Sequence, residues 1–349
     1  MRSPAAFVLL LTALAAVAVS GCGSGSTKTV TVGTGTPAGT ADGAPTSAAQ
    51  SLQQSYVQVV QRLSPRVVQI ETSQGLGSGI VYDGKGDIVT NAHVVGTSKS
   101  FTVTLGAGDQ HKATLVGSFP PDDLAVIKLS PVPSTPPQAA QFADSSKLQV
   151  GQLVLAIGNP LGLRSSVTEG IISSLRRTVP EGNGAVIASA VQTSASINPG
   201  NSGGALGDIT GAVVGIPTLA AVDPELGGTA APGIGFAIPS NRVKQIADQL
   251  IANGHVTRSG RAYLGVSLVT SVMGQGIIVA AVQKGGPADK AGIRVQDTIL
   301  KVDGKPTPTA DELATVLAAL KPGQTVPVEV RHANGQTQTV NVTLGQVPG

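Results

Sequence analysis

From Val67 to Ile238 the chain is a succession of short β-branched runs separated by Gly, Pro and Asp, and this rhythm narrows the choice of fold. Val67–Glu71, Gly79–Tyr82, Ile88–Thr90, Phe101–Leu105, Leu124–Leu129, Leu153–Ile157, Thr168–Ser174, Ala190–Gln192, Val213–Ile216 and Gly235–Ile238 all read as strands. Many short strands between turn signals point to barrels or sandwiches. The proline-rich stretch Pro131–Pro137 divides the runs into two sets, which leaves room for two such units. Aromatic residues are only 2% of the chain against 41% apolar, so Val, Ile, Leu and Ala must fill the cores.

Three polar positions stand out against these runs. Ser202 sits in Gly200-Asn201-Ser202-Gly203-Gly204, where glycines let backbone amides crowd around a serine. His93 closes the run Ile88–Val95, and Asp123 opens Leu124–Ile127. A serine hydroxyl needs a base to take its proton, and an imidazole needs a carboxylate to fix its tautomer and stabilise the imidazolium. Gly-Asn-Ser-Gly-Gly also satisfies the nucleophile elbow of α/β-hydrolases, which needs a helix straight after the serine and a later histidine. The residues after Ser202 make a poor helix, and the later His255 and His332 stand apart from these motifs, which argues against that fold.

His93 in Thr90-Asn91-Ala92-His93-Val94-Val95, Asp123 in Asp123-Leu124-Ala125-Val126, Gly158-Asn159-Pro160, Asn198–Gly204 and Gly233–Pro239 together resemble the signature blocks of HtrA (Deg-type) serine proteases. The resemblance extends over most of the chain, from about Ser55 to Gly345. It implies a mainly β protein: a double antiparallel β-barrel, trypsin-like protease domain over 48–255, then a PDZ domain over 262–345. In that scheme Ser202 attacks a peptide carbonyl, His93 accepts its proton and Asp123 orients His93. The amides of Gly200 and Ser202 form the oxyanion hole. Asp122 is the rival of Asp123, but only Asp123 directly precedes Leu-Ala-Val. Ser196 and Ile197 stand where proteases of this fold wall the pocket for the residue before the cut. Neither is a carboxylate, so cleavage after small or medium aliphatic residues is expected. The chain departs from the family at Ser194, where the family usually has Asp.

Beyond the hinge His255–Arg261, Tyr263-Leu264-Gly265-Val266 resembles the carboxylate-binding loop of PDZ domains, where successive amides hold a chain terminus. Gly286-Pro287-Ala288, Ala291-Gly292-Ile293 and Asp297-Thr298-Ile299 fit the same module, although Gln296 replaces the glycine usual before Asp297. Thr309 and Glu312 form a capping box before Leu313, Val316, Leu317 and Leu320, and Pro322-Gly323 ends that helix. Asn334-Gly335 between alternating runs signals a hairpin.

At the other end, residues 1–21 read as a signal peptide. Arg2 precedes the apolar stretch Ala5–Val19, and Val19-Ser20-Gly21-Cys22 resembles the lipobox of bacterial lipoproteins, with Cys22 as the lipidated residue. The competing reading is an ordinary secretory signal cleaved nearby. Cys22 is the only cysteine, so no intramolecular disulfide is expected. Residues 22–47 are rich in Gly, Ser and Thr and read as a tether. The implied location is the extracytoplasmic face of a membrane, through a lipid anchor.

Leu52, Tyr56, Val59, Val60 and Leu63 recur at helical spacing, which predicts a helix from near Ser47 to before Pro65. In the family this region helps build a homotrimer; the alternative is a helix packed on its own domain. Leu219–Gly233 reads as a long loop, either an activation loop or a passive connection. Ser240 is expected to cap a helix carrying Val243, Ile246, Ala247, Leu250 and Ile251 on one face and ending at Gly254.

With 23 basic and 20 acidic residues the net charge is +3, which gives no reason to invoke nucleic acid. His93, His111, His255 and His332 lack paired ligand spacing, so no metal is implied, and no phosphate-cradling loop or other cofactor motif occurs. The expected partners are unfolded or misfolded proteins at the cleft and C-terminal peptides at the PDZ groove. The competing class is a non-catalytic chaperone or peptide-binding scaffold on the same fold.

Overall fold

The computed structural model describes residues 47–159, 166–180, 186–198, 200–223, 229–270 and 276–348. Residues 1–46, on which the expected signal peptide, Cys22 and nearly all of the expected tether fall, lie outside the described residues, as do Pro160 and Pro199 of the family blocks.

Helix α1 (Ser47–Leu63) fulfils the apolar spacing read from the sequence: Val59 and Leu63 are buried, while Leu52 at its start is exposed. A 3-10 turn at Ser64–Arg66, with Pro65 inside it, ends the helix and leads into the first barrel. That barrel contains β1 (Val67–Glu71), β2 (Leu76–Val81), β3 (Asp87–Thr90), β4 (Ser100–Thr104), β5 (Gln110–Phe119) and β6 (Leu124–Leu129). The one-turn helix α2 (Ala92–Val95) follows β3. The strands close in the order β1-β2-β3-β6-β5-β4, with β4 returning to β1.

The second barrel repeats this plan with β7 (Leu153–Gly158), β8 (Ser166–Pro180), β9 (Val186–Thr193), β10 (Ala205–Asp208), β11 (Val213–Asp223) and β12 (Thr229–Pro239), closed as β10-β11-β12-β9-β8-β7. Two strands escaped the sequence reading. β5 carries His111, Lys112 and Gly117 among its apolar residues, and β10 is only four residues long, so neither offers a clear run. The expected loop Leu219–Gly233 is corrected: β11 runs on to Asp223 and β12 starts at Thr229, leaving 224–228 outside the described residues.

Alternate residues of the strands serve two cores, which explains why many are buried on both faces. In the first barrel Val68, Ile70, Ile88, Ala125, Ile127 and Leu129 join one cluster. Their neighbours Val67, Val89, Leu124 and Val126 join another, with Leu155, Ile157 and Ile216 of the second barrel. This shared apolar cluster joins the two barrels and also takes in α1 through Val59 and Leu63. Helix α3 (Ser240–Asn253) adds Val243, Ile246, Ala247 and Leu250 to it and ends at Gly254, whose φ is 74°. Ser240 is not the cap expected of it. Its residue is the first of the helix, after Pro239, and its hydroxyl donates to the Ala143 carbonyl at 2.7 Å.

The C-terminal unit has its own core, including Leu264, Ile277, Val279, Ile299, Val302, Val326, Val328 and Val330. Its elements are β13 (Ala262–Tyr263), β14 (Val266–Thr270), β15 (Ile277–Val282), α4 (Pro287–Lys290), β16 (Thr298–Val302), β17 (Lys305–Pro306), α5 (Ala310–Ala318), β18 (Thr325–Arg331), β19 (Thr337–Thr343) and β20 (Gly345–Gln346). The main sheet runs β14-β15-β16-β18-β19, which leaves β14 on an edge. The Thr309–Glu312 capping box forms as read, and Asn334-Gly335 lies in the β18–β19 hairpin. Gln296 adopts a φ of 71°, the left-handed region for which glycine is suited. Helix α5 touches β14 and also packs on β8 and β9 of the second barrel.

Candidate active site

The topology brings the three singled-out residues to one seam. β3 and β6 are neighbours, with Thr90 opposite Ala125, so the residues just beyond these strand ends meet. His93 lies in α2 after β3, and Asp123 ends the 3-10 turn Pro120–Asp122 just before β6. Asp123 has a φ of 51°, a left-handed conformation that costs a non-glycine residue about 1 kcal/mol or more. The Asn91 side chain helps hold it there by donating to the Asp123 carbonyl at 2.9 Å.

The Asp123 carboxylate is 1% exposed and fully engaged. Its Oδ2 lies 2.8 Å from His93 Nδ1 and accepts the Thr218 hydroxyl at 2.6 Å. Its Oδ1 accepts the His93 amide at 2.9 Å. A carboxylate so bonded holds the imidazole in one orientation with Nδ1 protonated, leaving Nε2 directed elsewhere. The His93 side chain is 39% exposed, so solvent and a ligand can reach it.

Ser202 comes from the second barrel, in the turn before β10. Its hydroxyl donates to the Thr218 carbonyl at 3.3 Å. His93, Gly200 and Ser202 line one cleft of about 250 Å³, with Val94, the β1–β2 turn residues Thr72, Gln74 and Gly75, and Leu76 and Gly77 at the start of β2. Gly200 has a φ of 110° and Gly203 of 79°, so this loop follows a path that side chains would oppose. The amides of Gly200 and Ser202 have no hydrogen-bond acceptor among the described residues. An unpaired donor pair beside a serine and a carboxylate-bound histidine is equipped to bind an oxygen that gains negative charge.

Asp122 has other partners. It forms ion pairs with Arg242 of α3 and, at 2.6 Å, with Arg261 of the hinge. Burial pushes its carboxyl up from the ordinary value, while the two guanidiniums oppose that shift.

Ser196 and Ile197 do not line the cleft of His93 and Ser202. Ser196 is exposed, and its carbonyl accepts the Thr168 hydroxyl at 2.8 Å and the Asn201 side chain at 3.0 Å. Ile197 is buried in the core of the second barrel, against Gly235, where a β-carbon would collide with it. Ser194 makes a local contact: its hydroxyl accepts the Ile171 amide at 3.0 Å. Thr218 was missed by sequence reasoning. Its only signal is a hydroxyl in an otherwise apolar buried strand, Val213–Thr218.

In the C-terminal unit, Gly265 has a φ of 79°, and the Gly265 and Leu264 carbonyls accept the Gln283 and Ala288 amides at 2.9 Å each. The Leu264 and Gly265 amides have no acceptor among the described residues and precede the edge strand β14. Tyr263 pairs with Gly345 and hydrogen-bonds through its hydroxyl to Gln283. A larger cavity of about 710 Å³ lies away from the seam, where β8, β9, α3, the hinge and α5 meet, and it contains none of the three seam residues.

Known proteins share both parts. A trypsin-like peptidase domain matches residues 77–216, and a PDZ domain matches 262–344. Serine protease PepD of Mycobacterium tuberculosis is 37% identical over 89% of this chain and 72% of its own length. Serine protease Do-like HtrA of Bacillus subtilis is 38% identical over 79% of this chain and 65% of its own length. A Brucella suis protein named "Probable periplasmic serine endoprotease DegP-like" is 38% identical over 78% of this chain and 53% of its own. Among solved structures, the serine endoprotease from Yersinia pestis is 37% identical, covers 84% of this chain and 98% of that one, and gives a TM-score of 0.56. The HtrA-type protease AlgW with a decapeptide is 30% identical over 84% and 99%, with a TM-score of 0.57.

Proposed function

The chain belongs to the HtrA family of serine proteases, and from that membership we propose that it degrades unfolded or misfolded proteins outside the cytoplasm through a Ser202–His93–Asp123 triad. Ser202 Oγ attacks the scissile carbonyl carbon while His93 Nε2 takes its proton; this needs the hydroxyl to leave the Thr218 carbonyl and turn to the imidazole. Asp123 holds His93 and stabilises the imidazolium. The amides of Gly200 and Ser202 stabilise the oxyanion, and collapse passes the proton to the leaving amine. Water then repeats the sequence on the acyl-enzyme and frees Ser202.

The observation that carries this reading is the bonded His93–Asp123 pair of one barrel beside Ser202 and two amides of the other that have no acceptor among the described residues. Cleavage after small or medium aliphatic residues is kept as part of this reading from the lack of a carboxylate at Ser196 and Ile197, although neither lines the cleft of His93 and Ser202. The competing chaperone reading lacks any use for the bonded histidine.

The domains are read as signal peptide 1–21, tether 22–47, protease 48–255 and PDZ 262–345. The PDZ loop Tyr263–Val266 takes a C-terminal carboxylate on its amides, and the rest of that peptide adds as a strand to the open edge of β14. Lipidation of Cys22 anchors the chain to a membrane on its extracytoplasmic side, in keeping with the periplasmic name of the Brucella relative. The exposed apolar residues Leu52 and Val57 of α1 support a homotrimer.

Degradation of unfolded casein by the chain from Ser47 onward, beside Ser202→Ala and with or without a peptide bearing a free C-terminus, tests the protease. Cleavage lost in the variant is the expected result. Equal cleavage by both, or none with aggregation of a client still suppressed, moves the function to the chaperone reading. Membrane fractionation of the wild type and Cys22→Ser tests the anchor.

A further inference from the structure

Ser78 lies on β2 of the first barrel and is completely buried. Its hydroxyl donates to the Gly200 carbonyl at 2.5 Å and accepts the Asn159 amide at 2.8 Å. Its own amide donates to the Ser202 carbonyl at 3.2 Å, and its carbonyl accepts the Thr90 hydroxyl at 2.6 Å. One residue of the first barrel thus grips the carbonyls of both second-barrel residues whose amides point to an oxyanion site.

The approach is close because the facing residue is glycine: a β-carbon on Gly203 would collide with the Ser78 carbonyl and the Thr90 hydroxyl. The rest of the serine loop is tied to its own barrel, with Asn201 bonded to Asn198 and Ser196 and the Gly203 amide to Pro217. Among the described residues the Gly200 carbonyl has no such second-barrel tie, and a glycine at a φ of 110° has unusual freedom to rotate its flanking peptides.

We propose that Ser78 is a positioning residue: acting from the opposite barrel, it fixes the Gly200–Ser202 backbone so that both amides face the substrate oxygen. This rests on the catalytic reading above. Oxyanion donors bind the transition state more tightly than the ground state, so misaiming them lowers kcat rather than raising KM. Ser78 touches neither substrate nor the reacting atoms, and its effect passes through Gly200.

Steady-state cleavage of an aliphatic peptide by the full chain, Ser78→Ala, Ser78→Cys, Thr90→Val and Ser202→Ala, with thermal melting of each, tests this. For Ser78→Ala, kcat should fall about tenfold to a hundredfold with KM within about twofold, since outright loss of one oxyanion donor costs about 100- to 1,000-fold. Affinity for a peptide aldehyde, whose adduct places an oxyanion at the same amides, should fall in parallel with kcat. Ser78→Cys keeps a weaker donor and should lie between. Thr90→Val removes a neighbouring buried hydrogen bond without touching the hydroxyl on Gly200, and should lower the melting temperature while holding kcat within about threefold.

Unchanged kcat in Ser78→Ala, a loss expressed in KM, or a Thr90→Val enzyme as slow as Ser78→Ala overturns the proposal. A wild type no faster than Ser202→Ala, with Ser202 inert to a fluorophosphonate, overturns the catalytic reading and this proposal together.

Discussion

Asp122 and Asp123 are adjacent in the chain yet bind separate sets of partners. Asp122 pairs with Arg242 of α3 and Arg261 of the hinge, while Asp123 holds His93 at 2.8 Å. The left-handed turn at Asp123, with a φ of 51°, separates the directions of the two side chains.

Substituting each in turn should therefore give two distinct failures. Asp123→Asn should lower kcat by about 10,000-fold by disturbing the imidazole tautomer, with folding largely kept. Asp122→Ala leaves two guanidiniums without their buried partner and should cost about 3–5 kcal/mol of stability. Urea denaturation beside peptide cleavage checks both. A stable but inactive Asp122→Ala, with Asp123→Asn active, would reverse the assignment.

Thr218 should tune the same pair. Its hydroxyl donates to Asp123 Oδ2 at 2.6 Å, so Thr218→Val removes one of the donors that fix this buried carboxylate. A carboxylate held by one donor fewer orients His93 less firmly, which lowers kcat/KM. An activity loss of about tenfold at neutral pH is expected from one charge-assisted hydrogen bond. A kcat/KM equal to the wild type's would argue that Thr218 only packs.

His332 gives the PDZ unit a pH-dependent brace. Its Nδ1 lies 2.9 Å from Asp297 and its Nε2 3.1 Å from Gln338, and these hydrogen bonds, Asp297 first, hold its pKa above the ordinary histidine value. Arg294 nearby opposes the shift. A folded-state pKa above the unfolded one, about 6.5, adds stability that is complete below the unfolded value and disappears as pH rises through the folded value. The difference in urea midpoint between wild type and His332→Gln should thus be larger at pH 5.5 than at pH 8.5. A difference independent of pH would remove the brace.

Gly265→Ala should weaken capture of a C-terminal peptide. The residue sits at a φ of 79°, and a β-carbon there would lie 3.2 Å from Pro287 Cδ. Alanine pays about 1–2 kcal/mol in this conformation, so affinity should drop about fivefold or more by fluorescence anisotropy. An amidated peptide should bind poorly to both proteins. Equal binding of free and amidated ends would dismiss carboxylate capture.

The blocks around His93, Asp123 and Ser202 and most strands of the two barrels could be picked out in the sequence because each rests on local signals. β1 and β6 have the bounds expected from their apolar runs, and the capping box of α5 follows directly from Thr309 and Glu312. What could not be read was set by partners distant in the chain. β5 looks polar because its pairing with β4 and β6, not its composition, makes it a strand. Ser240 looks like a helix cap, but the Ala143 carbonyl takes its hydroxyl. Likewise, nothing local to Ser78, Thr218 or Arg261 announces Gly200, Asp123 or Asp122 as its partner.

The Arg261–Asp122 ion pair also decides where this protein can be cut for study. A truncation that ends after Gly254 removes the peptide-binding module and, with it, one of the two cations facing a buried carboxylate next to Asp123. Such a fragment would confuse loss of regulation with damage to the catalytic barrel. Boundaries placed after Arg261, and full-length controls carrying Arg261→Met, separate the two effects; without them, a dead fragment says nothing about what the missing module does.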